Sequence, residues 1–195
     1  MTNMAANQLR TADIIVSTTG ATVSGAIRAG TGSSVSHSML YIGNQFVVEA
    51  IASGVIKRPL TQAIRDASLA IALRRRNTTP GIRSAVVRQA ELYARRGLPY
   101  DEIGAAGSGT ATNRGRALAI IACSLSWIAC GAGASAVARN ASPSQADKAF
   151  FCSELIARVF ELAGAPITDN SPSFTTPRHV RVSSQLLYVG HLKDT

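Results

Sequence analysis

Strand-like and helix-like segments occupy different parts of this chain. Before residue 80, short apolar runs rich in β-branched residues are separated by turn residues, as in "ADIIVS" (12–17), "GVIKRPL" (54–60) and "LAIALRR" (69–75). Runs of this kind bounded by Gly, Asn, Ser or Thr are typical of β-strands. After residue 80 the apolar residues recur at helical spacing instead. Because strands and helices do not alternate, their order predicts an α+β fold rather than repeated βαβ units.

Two later segments have the periodicity and the end signals of amphipathic helices. The segment "PGIRSAVVRQAELYARRG" (80–97) begins with a proline, carries an apolar stripe and ends at Gly97. The segment "FFCSELIARVFELAG" (150–164) has a strong apolar face, and Pro166 prevents the helix from continuing. Cys152 is expected at or near the first turn of this second helix.

The 195 residues are enough for one domain with a buried core. Between the two helices lies "ALAIIACSLSWIACGAGASAVA" (117–138), which is long enough to invite a membrane-span interpretation. Its content of Ala, Gly and Ser and its interruption by "CGAG" favour a buried helix or helical hairpin, with contact to lipid as the alternative. We therefore predict a single domain, 1–195, with an apolar helical insertion at about 105–147.

The charge balance favours anionic partners. Lys and Arg number 20 against 11 Asp and Glu, which gives a net charge of +9. Wall polymers, lipid head groups and nucleic acid all attract such a surface. The basic residues are scattered, however, and few aromatic residues lie among them, so no platform for stacking bases is visible. We expect contact with an anionic polymer or a membrane, and no nucleic acid.

Three cysteines without regular spacing do not form a disulfide framework, which fits a reducing compartment. The first twenty residues show no basic region followed by an apolar one, so no cleavable signal peptide is evident. The expected location is the cytoplasm as synthesised, with signal-independent export left open. A small, basic chain of this kind also fits a toxin delivered into rival cells, as well as many housekeeping proteins.

Cys152 is the cysteine best placed to act as a nucleophile. A helix N-terminus supplies partial positive charge and free backbone N–H groups, both of which favour a thiolate. The same N–H groups can hold an oxyanion that forms when the thiolate attacks a carbonyl. The alternative is a small buried packing residue, which is how we interpret Cys123 and Cys130.

The segment "VSHSMLYIGNQFVVEA" (35–50) is typical of a β-hairpin and carries both His37 and Glu49. An odd-numbered loop around Gly43 would place His37 directly opposite Glu49, whose carboxylate would then orient the imidazole and stabilise its charge. A two-residue turn at "GN" would instead pair His37 with Ala50 and direct Glu49 to the other face. The register of the hairpin therefore decides whether the two side chains meet.

Two further histidines compete with His37 for the role of base. His179 lacks a neighbouring strand with a suitably placed carboxylate or amide, and His191 is expected at the surface. His37 is therefore the preferred partner of Cys152.

The motifs around these residues resemble a known family. "SHSMLYIGNQFVVEA" resembles the histidine segment of NlpC-type papain-like cysteine peptidases, and "FFCSELIARVFELAG" resembles their cysteine-bearing helix. The histidine precedes the cysteine here, as in the circularly permuted branch, the YiiX/YaeF-like amidases. That branch also shows a "GDIIL"-type first strand, similar to "ADIIVS", a "CSEL" motif matched at 152–155, and a "YD" pair matched by Tyr100 and Asp101. The resemblance covers about residues 12–104 and 148–190.

The resemblance implies a permuted papain-like fold, in which an antiparallel sheet packs against a helix that starts with the nucleophile. Cys152 then takes the place of the nucleophile, His37 that of the base and Glu49 that of the third residue, with Tyr100 near the substrate. The implied function is a cysteine amidase or peptidase that acts through an acyl-enzyme, on peptides or peptidoglycan stem peptides.

Two other functions remain open at this point. The apolar residues 117–138 motivate a lipid-directed thiol acyltransferase or thioesterase on the same fold, with an acyl-containing substrate. A non-enzymatic binding module that has kept the fold is the third interpretation. The sequence shows no cluster of His, Cys and carboxylates with the spacing of metal ligands, so we expect no metal and no cofactor.

Overall fold

The computed structural model describes residues 3–19, 33–101 and 149–194. Six antiparallel strands form one sheet in the order β4-β3-β2-β1-β5-β6. The strands are β1 (Ile14–Thr19), β2 (His37–Gly43), β3 (Phe46–Ile51), β4 (Gly54–Pro59), β5 (Ala67–Arg75) and β6 (Leu186–Asp194). Five of the six precede residue 80, so the predicted α+β class is confirmed.

Four α-helices lie in the described residues. They are α1 (Leu60–Ala63), α2 (Pro80–Arg96), α3 (Cys152–Leu162) and α4 (Pro177–Val182), with short 3₁₀ turns at Ala6–Gln8 and Pro172–Phe174. In α2, Thr79 Oγ1 accepts a hydrogen bond from the Ile82 N–H at 3.2 Å. The helix ends at Gly97, whose φ of 57° is the left-handed conformation that glycine adopts without strain.

Apolar residues cover both faces of the sheet. One face carries Ile14, Leu40 and Val48 and packs against buried residues of α2 and α3, such as Val86 and Leu155. The other face, which includes Ile15, Met39 and Val47, is covered in part by Leu60 and Ala63 of α1. Full burial of one such aliphatic side chain contributes about 1.5–3 kcal/mol to stability. The sheet is therefore held from both sides.

The β2–β3 hairpin adopts neither of the two registers considered from the sequence. Its turn residues are Asn44 and Gln45, with φ of 51° and 64°, as in a two-residue turn of the mirror-image type. The pairing shifts by one residue between Tyr41 and Gly43, and beyond the shift Leu40 pairs with Val48.

Continued along the strands, this register sets Glu49 opposite Met39 rather than opposite His37. Strand alternation nevertheless leaves His37 and Glu49 on the same face, in diagonal positions. The hairpin can therefore bring the two side chains together.

The predicted insertion at 105–147 lies outside the described residues, as do Cys123 and Cys130. The single domain and its insertion accordingly stay predictions. Among the helices of the described ranges, none combines the length and apolarity that a membrane span requires.

Candidate active site

Main-chain hydrogen bonds fix the chain immediately before α3. The Phe150 N–H donates to Pro99 O, and the Asp101 N–H donates to Phe150 O, both at 3.1 Å. The Phe150 ring packs on the ring of Tyr93 with centroids 5.0 Å apart. One residue later, the Phe151 N–H donates to Glu154 Oε2 at 3.4 Å, which closes the first turn of the helix. These contacts place Cys152 at the first helical position.

The side chain of His37 lies between Cys152 and Glu49. Its Nε2 donates to Glu49 Oε2 at 2.5 Å. The imidazole also hydrogen-bonds to the Cys152 thiol. Because Nε2 is engaged by the carboxylate, the bond to sulfur uses the other ring nitrogen, Nδ1. Cys152 and Glu49 are both buried, whereas 16% of the His37 side chain is exposed, so His37 is the most solvent-accessible of the three side chains.

A fourth residue, Arg58, joins this group from β4. Its Nε donates to Glu49 Oε1, so that one carboxylate oxygen serves the imidazole and the other the guanidinium. Val47 pairs with Arg58 and Glu49 pairs with Ile56, which puts Arg58 diagonal to Glu49 on the shared face. Arg58 was not among the site residues predicted from the sequence. A signal was present, because strand alternation through 54–60 puts Ile56 and Arg58 on one face, but the acidic partner could be assigned only once the register was known.

The charges of this group depend on one another. Burial alone would lower the pKa of His37, but the hydrogen bonds and negative charges of Cys152 and Glu49 outweigh it and raise that pKa to about 10. Burial alone would raise the pKa of Glu49 and of Cys152. The imidazolium lowers both pKa values below their ordinary ranges, with help from Arg58 in the case of Glu49. Both shifts favour a thiolate beside an imidazolium over the neutral pair.

Ser38 adds polar groups on the side of the thiol. It follows His37 in β2 and is fully buried. Its N–H and its hydroxyl both favour the thiolate and lower the pKa of Cys152 further. Within the described residues, the hydroxyl has no other hydrogen-bond partner.

Tyr100 lies beside the start of α3 through its main chain. It forms an isolated bridge with Phe150, two residues before Cys152, and its side chain is half-buried against the core. The structure thus brings Cys152, His37 and Glu49 together and holds the backbone of Tyr100 alongside.

The two competing histidines lie elsewhere. His179 is on α4, where its Nδ1 accepts the Thr176 N–H at 3.3 Å and helps to cap that helix. His191 is on β6 and is buried beside Tyr188, with ring centroids 5.7 Å apart. Our expectation of a surface position for His191 was wrong, because residue 191 lies within β6 and its side chain is buried.

No family model matches the chain, but a relative and a solved structure are similar to it. Over 206 residues the chain is 29% identical to the probable lipoprotein peptidase YaeF of Escherichia coli K12, covering 96% of this chain and 72% of YaeF. The fold resembles the crystal structure of metalloprotein YiiX from Escherichia coli O157:H7, with a TM-score of 0.63, 20% identity, and coverage of 94% of this chain and 97% of YiiX. These findings confirm the resemblance to YiiX/YaeF-like proteins.

YiiX is called a metalloprotein, which raises the question of whether the side chains around Cys152 could hold a metal ion. Among the described residues, no group of three or more His, Cys, Asp or Glu side chains is arranged to hold a metal ion. Glu49 illustrates the reason, since His37 occupies one of its oxygens and Arg58 the other. Within the described part of the chain, the side chains around Cys152 therefore do not fit a metal ion.

Proposed function

We propose that this YiiX/YaeF-like protein is a cysteine hydrolase that cleaves an amide bond through an acyl-enzyme on Cys152. The observation that carries the proposal is the buried chain of contacts from thiol to imidazole to carboxylate. Such an arrangement activates a nucleophile and orients its base. The name of YaeF, a probable lipoprotein peptidase, supports the same class of reaction.

The order of these parts supports a permuted papain-like architecture. The nucleophile stands at the start of α3, where the helix dipole and free N–H groups favour negative charge. The base and the third residue come from β2 and β3, earlier in the chain. In this proposal the sheet presents the imidazole to a helix that begins with the nucleophile.

Acylation starts from the thiolate–imidazolium pair. The sulfur attacks the carbonyl carbon and a C–S bond forms, while the carbonyl π electrons move to oxygen. Backbone N–H groups at the start of α3 stabilise that oxyanion. When the oxyanion collapses, the C–N bond breaks and the amine leaves with the proton that His37 Nδ1 supplies. The products of this step are a thioester on Cys152 and a neutral imidazole.

Deacylation reverses the proton movements. The neutral His37 takes a proton from water as the water oxygen attacks the thioester carbon. The C–S bond then breaks, the acid is released, and the thiolate–imidazolium pair is restored. Glu49 stays ionised throughout and stabilises the imidazolium whenever it forms.

The proposed substrates are peptides, with peptidoglycan stem peptides as the preferred class. The net charge of +9 suits an anionic wall polymer. Tyr100, whose backbone lies alongside that of Phe150, is proposed to contact the substrate next to the nucleophile. No cofactor enters any step.

The first prediction concerns Cys152→Ala. This change should abolish hydrolysis and leave the fold intact, because alanine fits the space but cannot form a thioester. Purified peptidoglycan, peptides and phospholipids would each be incubated with the wild type and with the variant, and products identified by mass spectrometry. His179→Asn is a matched control, since it removes an imidazole outside the site and should retain activity.

The same experiment separates the alternatives. Release of amines by the wild type alone supports the amidase, whereas release of fatty acids from phospholipid would replace it with the lipid-directed acyltransferase. Full activity in Cys152→Ala would remove Cys152 from the mechanism. Absence of an activated thiol would favour a binding module. An ordinary thiol, with a pKa of about 8.5, reacts slowly with iodoacetamide at pH 6, and an activated one reacts quickly.

A further inference from the structure

Glu49 is an unusual carboxylate because it is fully buried and accepts two charged donors. His37 approaches one oxygen from β2, and Arg58 approaches the other from β4. The three side chains run diagonally across neighbouring strands on one face of the sheet. The carboxylate is thus clamped in one orientation between two cations.

Arg58 is the charged residue of β4 committed to this contact. Its neighbour Lys57 alternates to the other face and pairs with Glu91 of α2 at 2.8 Å, where both side chains are partly exposed. The Arg58 side chain is only 25% exposed and is directed at a carboxylate that water does not reach. A surface cation without a role would not need such a position.

A buried carboxylate needs compensation to remain ionised. Desolvation alone can raise the pKa of such a group by several units, and one opposite charge at contact distance lowers it by about one to three units. The imidazolium supplies one such charge, but it is lost when His37 gives its proton to the leaving amine. Arg58 keeps its charge at every stage, since guanidinium groups do not deprotonate in proteins. Glu49 therefore has one permanent counter-ion, Arg58, and a second, His37, which is charged only while it holds its proton.

We infer that Arg58 is a positioning residue, which holds Glu49 ionised and oriented so that His37 can stabilise the Cys152 thiolate down to mildly acidic pH. The inference rests on the proposed function, because it assigns Arg58 a task within that site. Arg58 touches neither the thiol nor the proposed substrate and acts through Glu49. Around that carboxylate, the charged groups of the described residues are His37 and Arg58, with Cys152 beyond the imidazole.

The test, our second prediction, is the pH dependence of alkylation of Cys152 by iodoacetamide, followed by peptide mass spectrometry between about pH 4 and 9. In Arg58→Gln, Glu49 takes up a proton at higher pH, and a protonated Glu49 no longer supports the imidazolium. The pH at which alkylation slows on the acid side of the rate profile, its acid limb, should therefore rise by about one unit. At a given pH on that limb the reaction is then about tenfold slower. Arg58→Lys keeps the charge and should keep the limb close to its wild-type position.

Lys57→Gln is the matched control, because it removes one positive charge from the same strand on the opposite face, and its limb should not move. Glu49→Gln/Arg58→Gln, which has no carboxylate at position 49 for Arg58 to hold, should react as Glu49→Gln does alone. It also provides a folded comparison if Arg58→Gln is too unstable to study.

The outcomes distinguish this inference from the proposed function. A wild-type profile centred near the ordinary thiol pKa would overturn the activated nucleophile itself. An activated wild-type profile that stays in place in Arg58→Gln, or a further loss on adding Arg58→Gln to Glu49→Gln, would overturn only the role of Arg58. A shift in Arg58→Lys equal to that in Arg58→Gln would also overturn it, because the charge is retained there.

Discussion

His37 is central to the chemistry of the site, because its two ring nitrogens bind different partners. Nε2 is fixed by Glu49, and this bond orients the ring so that Nδ1 faces the sulfur. Rotation of the ring would break the bond to a fully buried carboxylate, whose loss of a charged partner is expensive. The contact with Glu49, and not the substrate, thus sets the orientation of the His37 ring.

The third prediction follows from the charge on that ring. In the wild type, His37 should stay protonated until about pH 10. Among the interactions that raise this pKa, those with Cys152 come first, so Cys152→Ala should lower it. Carbon and nitrogen NMR shifts of labelled imidazoles, recorded as a function of pH, measure the change. The signals of His179 and His191 serve as internal references, since neither ring contacts the site.

An unchanged His37 titration in Cys152→Ala would show that sulfur and imidazole do not interact, and the proposed nucleophile would lose its base. The directions of the Cys152 and His37 pKa shifts also define the pH range in which the enzyme should be active. The ion pair exists above the lowered pKa of Cys152 and below about pH 10, where His37 loses the proton it must give to the leaving amine. Hydrolysis should therefore decline as the pH approaches 10.

At the scale of elements, sequence patterns predicted most of the described strands and helices. The start of α2 at Pro80 and its end at Gly97 follow from local capping chemistry, which the sequence displays directly. The register of the β2–β3 hairpin could not be predicted, because it depends on a one-residue shift next to Gly43. That shift puts Glu49 diagonal to His37, a relation that neither turn considered would have produced.

The fourth prediction concerns the close approach of two elements at Gly54. Its φ of 105° is unfavourable for other residues, and a Cβ there would lie 2.7 Å from Leu98 O. That carbonyl accepts the Val55 N–H at 2.8 Å and belongs to the segment that leads to Tyr100. Gly54→Ala should lower the free energy of unfolding by about 2–4 kcal/mol, from backbone strain and the clash together.

Gly97→Ala provides the comparison, and both variants would be measured by urea denaturation. Its φ of 57° is also positive, but an added Cβ meets no atom within 4 Å. It should lower the free energy of unfolding by about 1 kcal/mol, the ordinary penalty for this conformation. Equal losses in the two variants would mean that the contact between Gly54 and Leu98 is not a close one.

For the molecule as a whole, the spatial pairing of residues that are far apart in the sequence was the feature least predictable from the residues alone. Cys152 and His37 come from distant parts of the chain, and periodicity carries no information on their distance. The family resemblance supplied that pairing, and the sheet order explains it, since α3 packs against β2 and β3. Arg58 belongs to no recognised motif, so its contact with Glu49 became evident only from the strand pairing in the structure.

The fifth prediction concerns the ion pair that joins the two parts of the sheet. Asp13, directly before β1, is buried and accepts from Arg74 of β5 through both of its oxygens, at 2.7 and 2.6 Å. β1 carries β2, β3 and β4 on one side, whereas β5 carries β6 on the other. Arg74→Met would leave the Asp13 charge buried without its partner. Such a change lowers the free energy of unfolding by about 3–5 kcal/mol.

The exposed pair of Arg65 and Asp66, 3.5 Å apart, is the natural control. Arg65→Met should change the free energy of unfolding by less than about 0.5 kcal/mol, because water and salt screen that pair. Urea denaturation of both variants gives the comparison, and a loss in Arg74→Met no larger than in Arg65→Met would exclude a linking role for the buried pair. Folded Arg74→Met should still show wild-type thiol reactivity, since the His37 hydrogen bonds are made within β2, β3 and α3. We therefore expect the Asp13–Arg74 ion pair to affect stability without affecting the contacts among Cys152, His37 and Glu49.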